Sequence, residues 1–284
     1  MGEHYEKFEK YLEYCDLCEE GKKALKQAAS SICADGATLA AALELKSKVS
    51  DPLFEMNCEE AFKGRSCQFG AFVYVLCLED MERLYEQKNI PREVFIETAG
   101  DLGVWIQRHH TWFGEWGFSQ YGWIVLHIRG KIFKLGRLQF EPGKITRLPP
   151  EELGLNLKEG DPFLNVHIPR GGRLDEAACL ESFERAKEFF PKVLGYEFVA
   201  FGCFTWMFDP AFESLLPPDS NILKFQKMFC LFPGEEGYWG LDYVFVNITK
   251  DNIKDAPTDT YFQKRLVEHI SSGGILAPGG GYRL

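Results

Sequence analysis

The hydrophobic period of this chain changes partway along, and that change restricts the fold more than any other feature. Up to about residue 110, apolar side chains recur at three and four: Tyr5, Phe8, Leu12 and Cys15, then Leu25 and Ala28, then Phe69, Phe72, Val73, Leu76, Met81 and Leu84. This is the spacing of a buried stripe on an α-helix. Gly36 to Val49 is rich in Ala and Leu, and Pro91 is placed for the first turn of a helix running through Phe95, Ala99, Leu102 and Ile106. After Trp123 the period drops to two and glycines punctuate it. Ile124 to Ile128, a turn centred on Gly130, and Ile132 to Phe140 read as an antiparallel hairpin. A strand from Phe163 to Ile168 leads through a double-glycine turn into an amphipathic helix carrying Leu174, Ala178, Phe183, Ala186 and Phe190. An apolar strand from Phe198 to Phe208 precedes a short helix at Asp209 and Pro210. Strands over about Leu223 to Phe232 and Leu241 to Asn247, and a helix from Thr258 to Ser271, complete the pattern. Gly279, Gly280 and Gly281 have only three residues after them and read as a flexible end.

The expectation is an α+β protein. A helical N-terminal domain occupies residues 1–112, and residues 113–284 hold a mostly antiparallel sheet of six to seven strands flanked by helices. Charge narrows the function classes: 42 acidic against 32 basic residues leave a net −10, which opposes binding to nucleic-acid phosphates or anionic lipid. No apolar run approaches the roughly 18 residues a membrane span needs. The opening residues are charged and amphipathic, so a cytoplasmic location is expected. Nine cysteines are an odd number in such a chain and fit reduced thiols better than a disulfide framework. Cys15 and Cys18 form a C-x-x-C, but at helical spacing and without a second pair to complete a zinc site, so they read as buried helix-face cysteines. His109 and His110 are adjacent, about 100° apart on a helix, and make a poor metal pair. No metal is expected. The nucleophile-elbow, phosphate-loop and dinucleotide motifs are all missing.

Alternation along the third expected strand puts Phe163, Asn165 and His167 on one face, partly polar just before the glycines. His167 has the chemistry of a general base for an amine, or of a structural histidine bonded between layers. Arg137 and Gln139 share a strand face, with Glu141 just beyond, as a solvent face or a substrate wall. Asp209, ahead of Pro210, caps the short helix or orients a base. The order strand, double glycine, helix aims backbone N–H groups and a helix N-terminus at an anion, with Arg170 and Arg173 as flanking charges.

Four stretches, LGRLQFE at 135–141, HIPRGG at 167–172, TWMFDP at 205–210 and SNILKFQ at 220–226, resemble a bacterial family with a helical N-terminal domain and a GNAT-like acyltransferase C-terminal domain. The resemblance implies acetyl-CoA or another acyl-CoA as cofactor, or an acyl-carrier thioester, and a small-molecule or peptide amine as acceptor. It places the cofactor at Ile168, Arg170, Gly171, Gly172 and Arg173, catalysis at His167 and Asp209, and acceptor contacts at Arg137, Gln139 and Trp206. Two features depart from the usual enzyme pattern. Counting from Arg170, the later small-residue positions of the pyrophosphate turn hold Arg173 and Asp175, and Asp175 is itself a good helix cap. The stretch from Asp209 to Pro217 also lacks the tyrosine often used as an acid there. The alternative is a non-catalytic binding module that keeps the fold after losing the cofactor loop.

Overall fold

The computed structural model describes residues 2–284. They form two compact units. One comprises Met1–Leu135 with Pro169–Gly171 and Lys192–Leu194; the other comprises Gly136–Ile168, Gly172–Pro191 and Gly195–Leu284.

The first unit is built on helices: α1 (Glu3–Leu12), α2 (Glu19–Ala34), α3 (Gly36–Ser50), the short α4 (Cys58–Ala61), α5 (Cys67–Gln87), α6 (Arg92–Phe113) and α7 (Tyr121–Ile128). Every residue of α5 from Phe69 to Leu78 is buried, so this helix is apolar all round and α1, α2 and α3 pack about it. Local signals set the helix starts. Asp35 accepts hydrogen bonds from the Ala37 and Thr38 N–H groups to begin α3, Ser66 accepts from Phe69 N–H at 3.1 Å to begin α5, and Pro91 precedes α6. Cys15 is buried at the end of a 3₁₀ turn, as expected, whereas Cys18 is exposed where α2 begins.

One buried polar network interrupts this apolar unit. Asp101 and Trp105 on α6, and Trp123 and His127 on α7, each lie one helical turn apart. The Asp101 Oδ2 atom accepts from Trp105 Nε1 and Trp123 Nε1, both at 3.1 Å, and lies 3.5 Å from His127 Nε2. The expectation of a strand over Ile124 to Ile128 is therefore overturned. A five-residue apolar run fits either period, and the partners decide: Tyr121, Ile124, Val125 and Ile128 are buried together only at helical spacing, while the Tyr121 carbonyl accepts from Tyr74 Oη at 2.9 Å.

A six-stranded mixed sheet follows: β1 (Phe133–Leu135), β2 (Leu138–Lys144), β3 (Pro162–His167), β4 (Ala200–Thr205), β5 (Cys230–Phe232) and β6 (Gly279–Arg283), in the order β1–β2–β3–β4–β6–β5. The β2–β3, β4–β6 and β6–β5 pairs are antiparallel. β3 and β4 are parallel, joined by the long helix α8 (Glu176–Leu194). The hairpin expected around Gly130 is in fact the β1–β2 turn at Gly136 and Arg137. On one sheet face the rings of Phe140 and Phe201 meet Phe183 and Phe190 of α8, with centroids 4.8 to 6.3 Å apart. On the other, Ile145, Phe163, Phe232 and Tyr282 form a second cluster.

The remaining helices are α9 (Phe212–Leu215), α10 (Asn221–Gln226), α11 (Leu241–Val244) and α12 (Tyr261–Ser271). They share a core of Phe212, Leu223, Leu241, Leu266 and Leu276. Two expected strands thus change type: 223–232 begins within α10, turns at 227–229 and is strand only over Cys230–Phe232, and 241–247 begins as α11. The terminal glycines change most. They are not a loose end but β6, inserted between β4 and β5. A Cβ on Gly279 would lie 2.8 Å from the Phe208 and Phe232 carbonyl oxygens, and one on Gly280 would lie 2.6 Å from the Phe232 ring. Only glycine leaves room for the neighbouring aromatic strands.

Candidate active site at the β2–β3 edge

The β2–β3 register sets Gln139 opposite His167 and Glu141 opposite Asn165. Residues directly opposite in a ladder share a face, so these four polar side chains form a square on one face. Leu138, Phe140, Leu164 and Val166 are buried on the other. Within the square His167 Nε2 lies 3.0 Å from Glu141 Oε2, and Asn165 Nδ2 reaches the same oxygen at 3.5 Å. Asn165 Nδ2 also lies 3.3 Å from Nε2; the tautomer in which Nε2–H donates to the carboxylate has the imidazole lone pair at Nδ1. The two side chains are 24% and 30% exposed, so the pair is sheltered yet open to a ligand. Gln139 opposite is fully buried, which removes the solvent-face reading of that residue.

The β3–β4 ladder stops beside this square. Its pairs are Phe163 with Ala200, Leu164 with Phe201 and Asn165 with Gly202. Both strands run on, β3 to His167 and β4 to Thr205, without pairing to each other. His167 is the last residue of β3, two beyond its final pair with β4.

From there the chain turns through Ile168 and Pro169 into the glycines. Gly171 and Gly172 have φ of +88° and +69°, the left-handed backbone that selects glycine, and nothing lies within 4 Å of where either Cβ would stand. Arg170 and Arg173 flank them on the exposed surface. The helix begins at Glu176, and its first turn is already served: Asp175 Oδ1 accepts from Ala177 and Ala178 N–H at 3.1 and 3.2 Å. The N-terminus of this helix is thus occupied by a carboxylate of the chain itself. Arg137 supports this loop from behind, its Nε donating to the Arg173 carbonyl at 2.9 Å. Burial lowers the Arg137 pKa from its ordinary value. Ser182 of α8 fixes the same corner, accepting from the Arg137 and Leu138 N–H groups at 2.9 and 3.3 Å.

Asp209 and Trp206 belong to a different cluster beyond the end of β4. The Asp209 oxygens accept from Ala211 N–H at 2.9 Å and Ala277 N–H at 2.6 Å, so this carboxylate pins both the turn ahead of α9 and the segment entering β6. Burial raises its pKa against those bonds. Gln226 completes the pinning by donating to the Met207 carbonyl at 2.6 Å. The Trp206 ring packs with Phe212, Tyr243 and Phe262. The cavity that Trp206 and Asp209 line is about 10 Å³, no more than one water needs.

His167 and Gln139 thus face each other at one end of the β2–β3 ladder, and Arg137 braces the chain at Arg173. The functional partner that the linear chain conceals is Glu141. It stands 26 residues from His167, and only the β2–β3 register joins them. The available signal was Glu141 sharing alternation with Arg137 and Gln139.

Comparison with known proteins follows the same division. Residues 6–130 match the profile of an N-acyltransferase N-terminal domain, and residues 132–283 that of a GNAT-like C-terminal domain. An acyltransferase crystallised with decanoyl-CoA and teicoplanin superposes with a TM-score of 0.77 at 23% identity, over 96% of this chain and 85% of its own. A mutant acyltransferase in complex with octanoyl-CoA gives a TM-score of 0.78 at 23% identity, over 98% of this chain and 87% of its own. One in complex with CoA and 10C-teicoplanin gives 0.77 at 22% identity, over 96% and 85%. At such identities the likeness establishes the fold. No curated protein matches the chain by sequence.

Proposed function

The chain belongs to the family defined by the GNAT-like C-terminal domain, here preceded by an N-acyltransferase N-terminal domain, and from that premise we propose that it transfers an acyl group from an acyl-CoA to an amine acceptor. The observation that carries the proposal is the partly exposed His167–Glu141 pair at the place where β3 and β4 part. The acyl-CoA complexes of its structural neighbours support the choice of donor.

The open backbone at Gly171 and Gly172, with Arg170 and Arg173, fits the pyrophosphate of such a donor. When bound, the donor supplies an activated thioester carbonyl. The chain's own part is proton handling. An amine that attacks a carbonyl must lose a proton, and His167 Nδ1 is the acceptor for it. Glu141 then faces an imidazolium across 3.0 Å and stabilises the charge as it forms. The same proton is available to the departing sulfur, a role His167 can fill where the stretch from Asp209 to Pro217 offers no tyrosine.

Asp175 supports the rival reading of a non-catalytic module, because its carboxylate opposes phosphate at the helix start. Calorimetry and thermal shift with acetyl-, octanoyl-, decanoyl- and free CoA decide between the readings. A donor at 100 times its Kd should stabilise the protein by about 2.7 kcal/mol, and turnover with an amine should follow. Binding without turnover for any amine would count against catalysis, and no binding of any CoA would favour the module that has lost its cofactor loop.

A further inference from the structure

Three members of the polar square satisfy one another, and the fourth does not. Gln139 is 0% exposed, and among the described residues neither its Oε1 nor its Nε2 has a hydrogen-bond partner. Buried amides are almost always bonded, because an unmade bond forfeits the water that was given up to bury the group. An apolar residue would fill this position between the buried Leu138 and Phe140 without that cost. The amide lies directly opposite His167, where side chains across an antiparallel ladder are about 5 Å apart at Cβ. A ligand handled by the imidazole is therefore within reach of the amide as well.

We propose that Gln139 is a specificity residue of the acceptor site and that it selects an amine bearing a neutral carboxamide close to the reacting nitrogen. This rests on the acyltransferase reading of the same site. Oε1 and Nε2 are one acceptor and one donor side by side on a single carbon, so their complement is a group with the same pair in reverse. A primary carboxamide has that geometry. A trans peptide group does not, since its N–H and C=O point in opposite directions. Charge favours the neutral group further, because Glu141 on the same strand face repels a carboxylate and leaves free amino acids at a disadvantage. Access requires the flanking Glu141 or His167 side chain, both partly exposed, to turn aside.

The test measures equilibrium binding by ligand-observed NMR for glycinamide, propylamine and glycine, to the wild type and to Gln139→Leu, with asparagine as a carboxamide carried on a side chain instead. Wild type should bind glycinamide about 10- to 100-fold more tightly than propylamine, the range expected of two neutral hydrogen bonds, and should discriminate against glycine. In Gln139→Leu the preference should collapse to within about twofold, while the melting temperature of the free protein holds or rises because an unsatisfied group has gone. Gln139→Met serves as the second variant should leucine impair folding. A preference that survives the substitution, or none in the wild type, overturns the proposal. A lowered melting temperature with unchanged preference overturns it too, by making the amide structural. Binding of decanoyl-CoA, measured on the same samples, reports separately on the reading beneath it: its loss with the amine preference intact would remove the donor and leave Gln139 as assigned.

Discussion

The two units each contain a histidine facing a carboxylate, and the pairs serve opposite ends. Asp101 and His127 have side chains only 2% exposed, lie 3.5 Å apart, and share their site with two indole N–H donors. Glu141 and His167 lie 3.0 Å apart with 24% and 30% of the imidazole and carboxylate exposed. The first pair is enclosed between α6 and α7, where no substrate atom can touch it, and its value is in joining two helices around the Asp101 carboxylate. The second sits at the end of a strand whose neighbour has parted from it. The pairing of residue types is common to both, so chemistry alone does not make an active site. Exposure decides which histidine can work.

The contrast breaks most visibly on substitution of the histidine. His167→Ala should lower kcat by about 10²- to 10⁴-fold, with acyl-CoA affinity and melting temperature nearly unchanged; a variant that unfolds instead would show that His167 resembles His127 after all. Next in size, Asp101→Ala strips the shared acceptor from Trp105 and Trp123 and should cost about 1 to 3 kcal/mol in urea unfolding for each buried indole N–H left unsatisfied. Residual folded protein should keep its kcat. Glu141→Gln retains the shape of the second pair but removes its charge. A charge-assisted hydrogen bond is worth about 1.5 to 3 kcal/mol, so kcat should fall roughly 10- to 100-fold, and an unchanged kcat would reduce the pair to a single residue. The smallest effect is expected at the helix start. Asp175→Asn preserves the cap, since Asn serves as well as Asp there, but lifts a negative charge from the phosphate position. Acyl-CoA should bind about two- to fivefold more tightly, with stability shifted by no more than a few tenths of a kcal/mol.

The sequence determined a good deal of this by itself. Helical spacing from Tyr5 to Ile106, the strand from Phe163 to His167, the Asp175 cap and the helix after it, and the closing helix near Thr258 to Ser271 are all local patterns, set by side-chain period and by groups a few residues apart. Alternation alone placed His167 with Asn165 and Arg137 with Gln139. Other features depend on partners remote in the chain. Ile124 to Ile128 is apolar enough for either period, and packing against Tyr74 and Phe62 made it a helix. Gly279, Gly280 and Gly281 have no side chains and hence no period to read, and they became a strand because Phe204, Phe208 and Phe232 leave room for nothing larger. Glu141 meets His167, and Gln139 is closed away from water opposite it, through a ladder register that no local pattern encodes. The residues able to act were visible in the chain, but their pairing was settled by tertiary structure, because sheet register is the sum of contacts made along a whole strand.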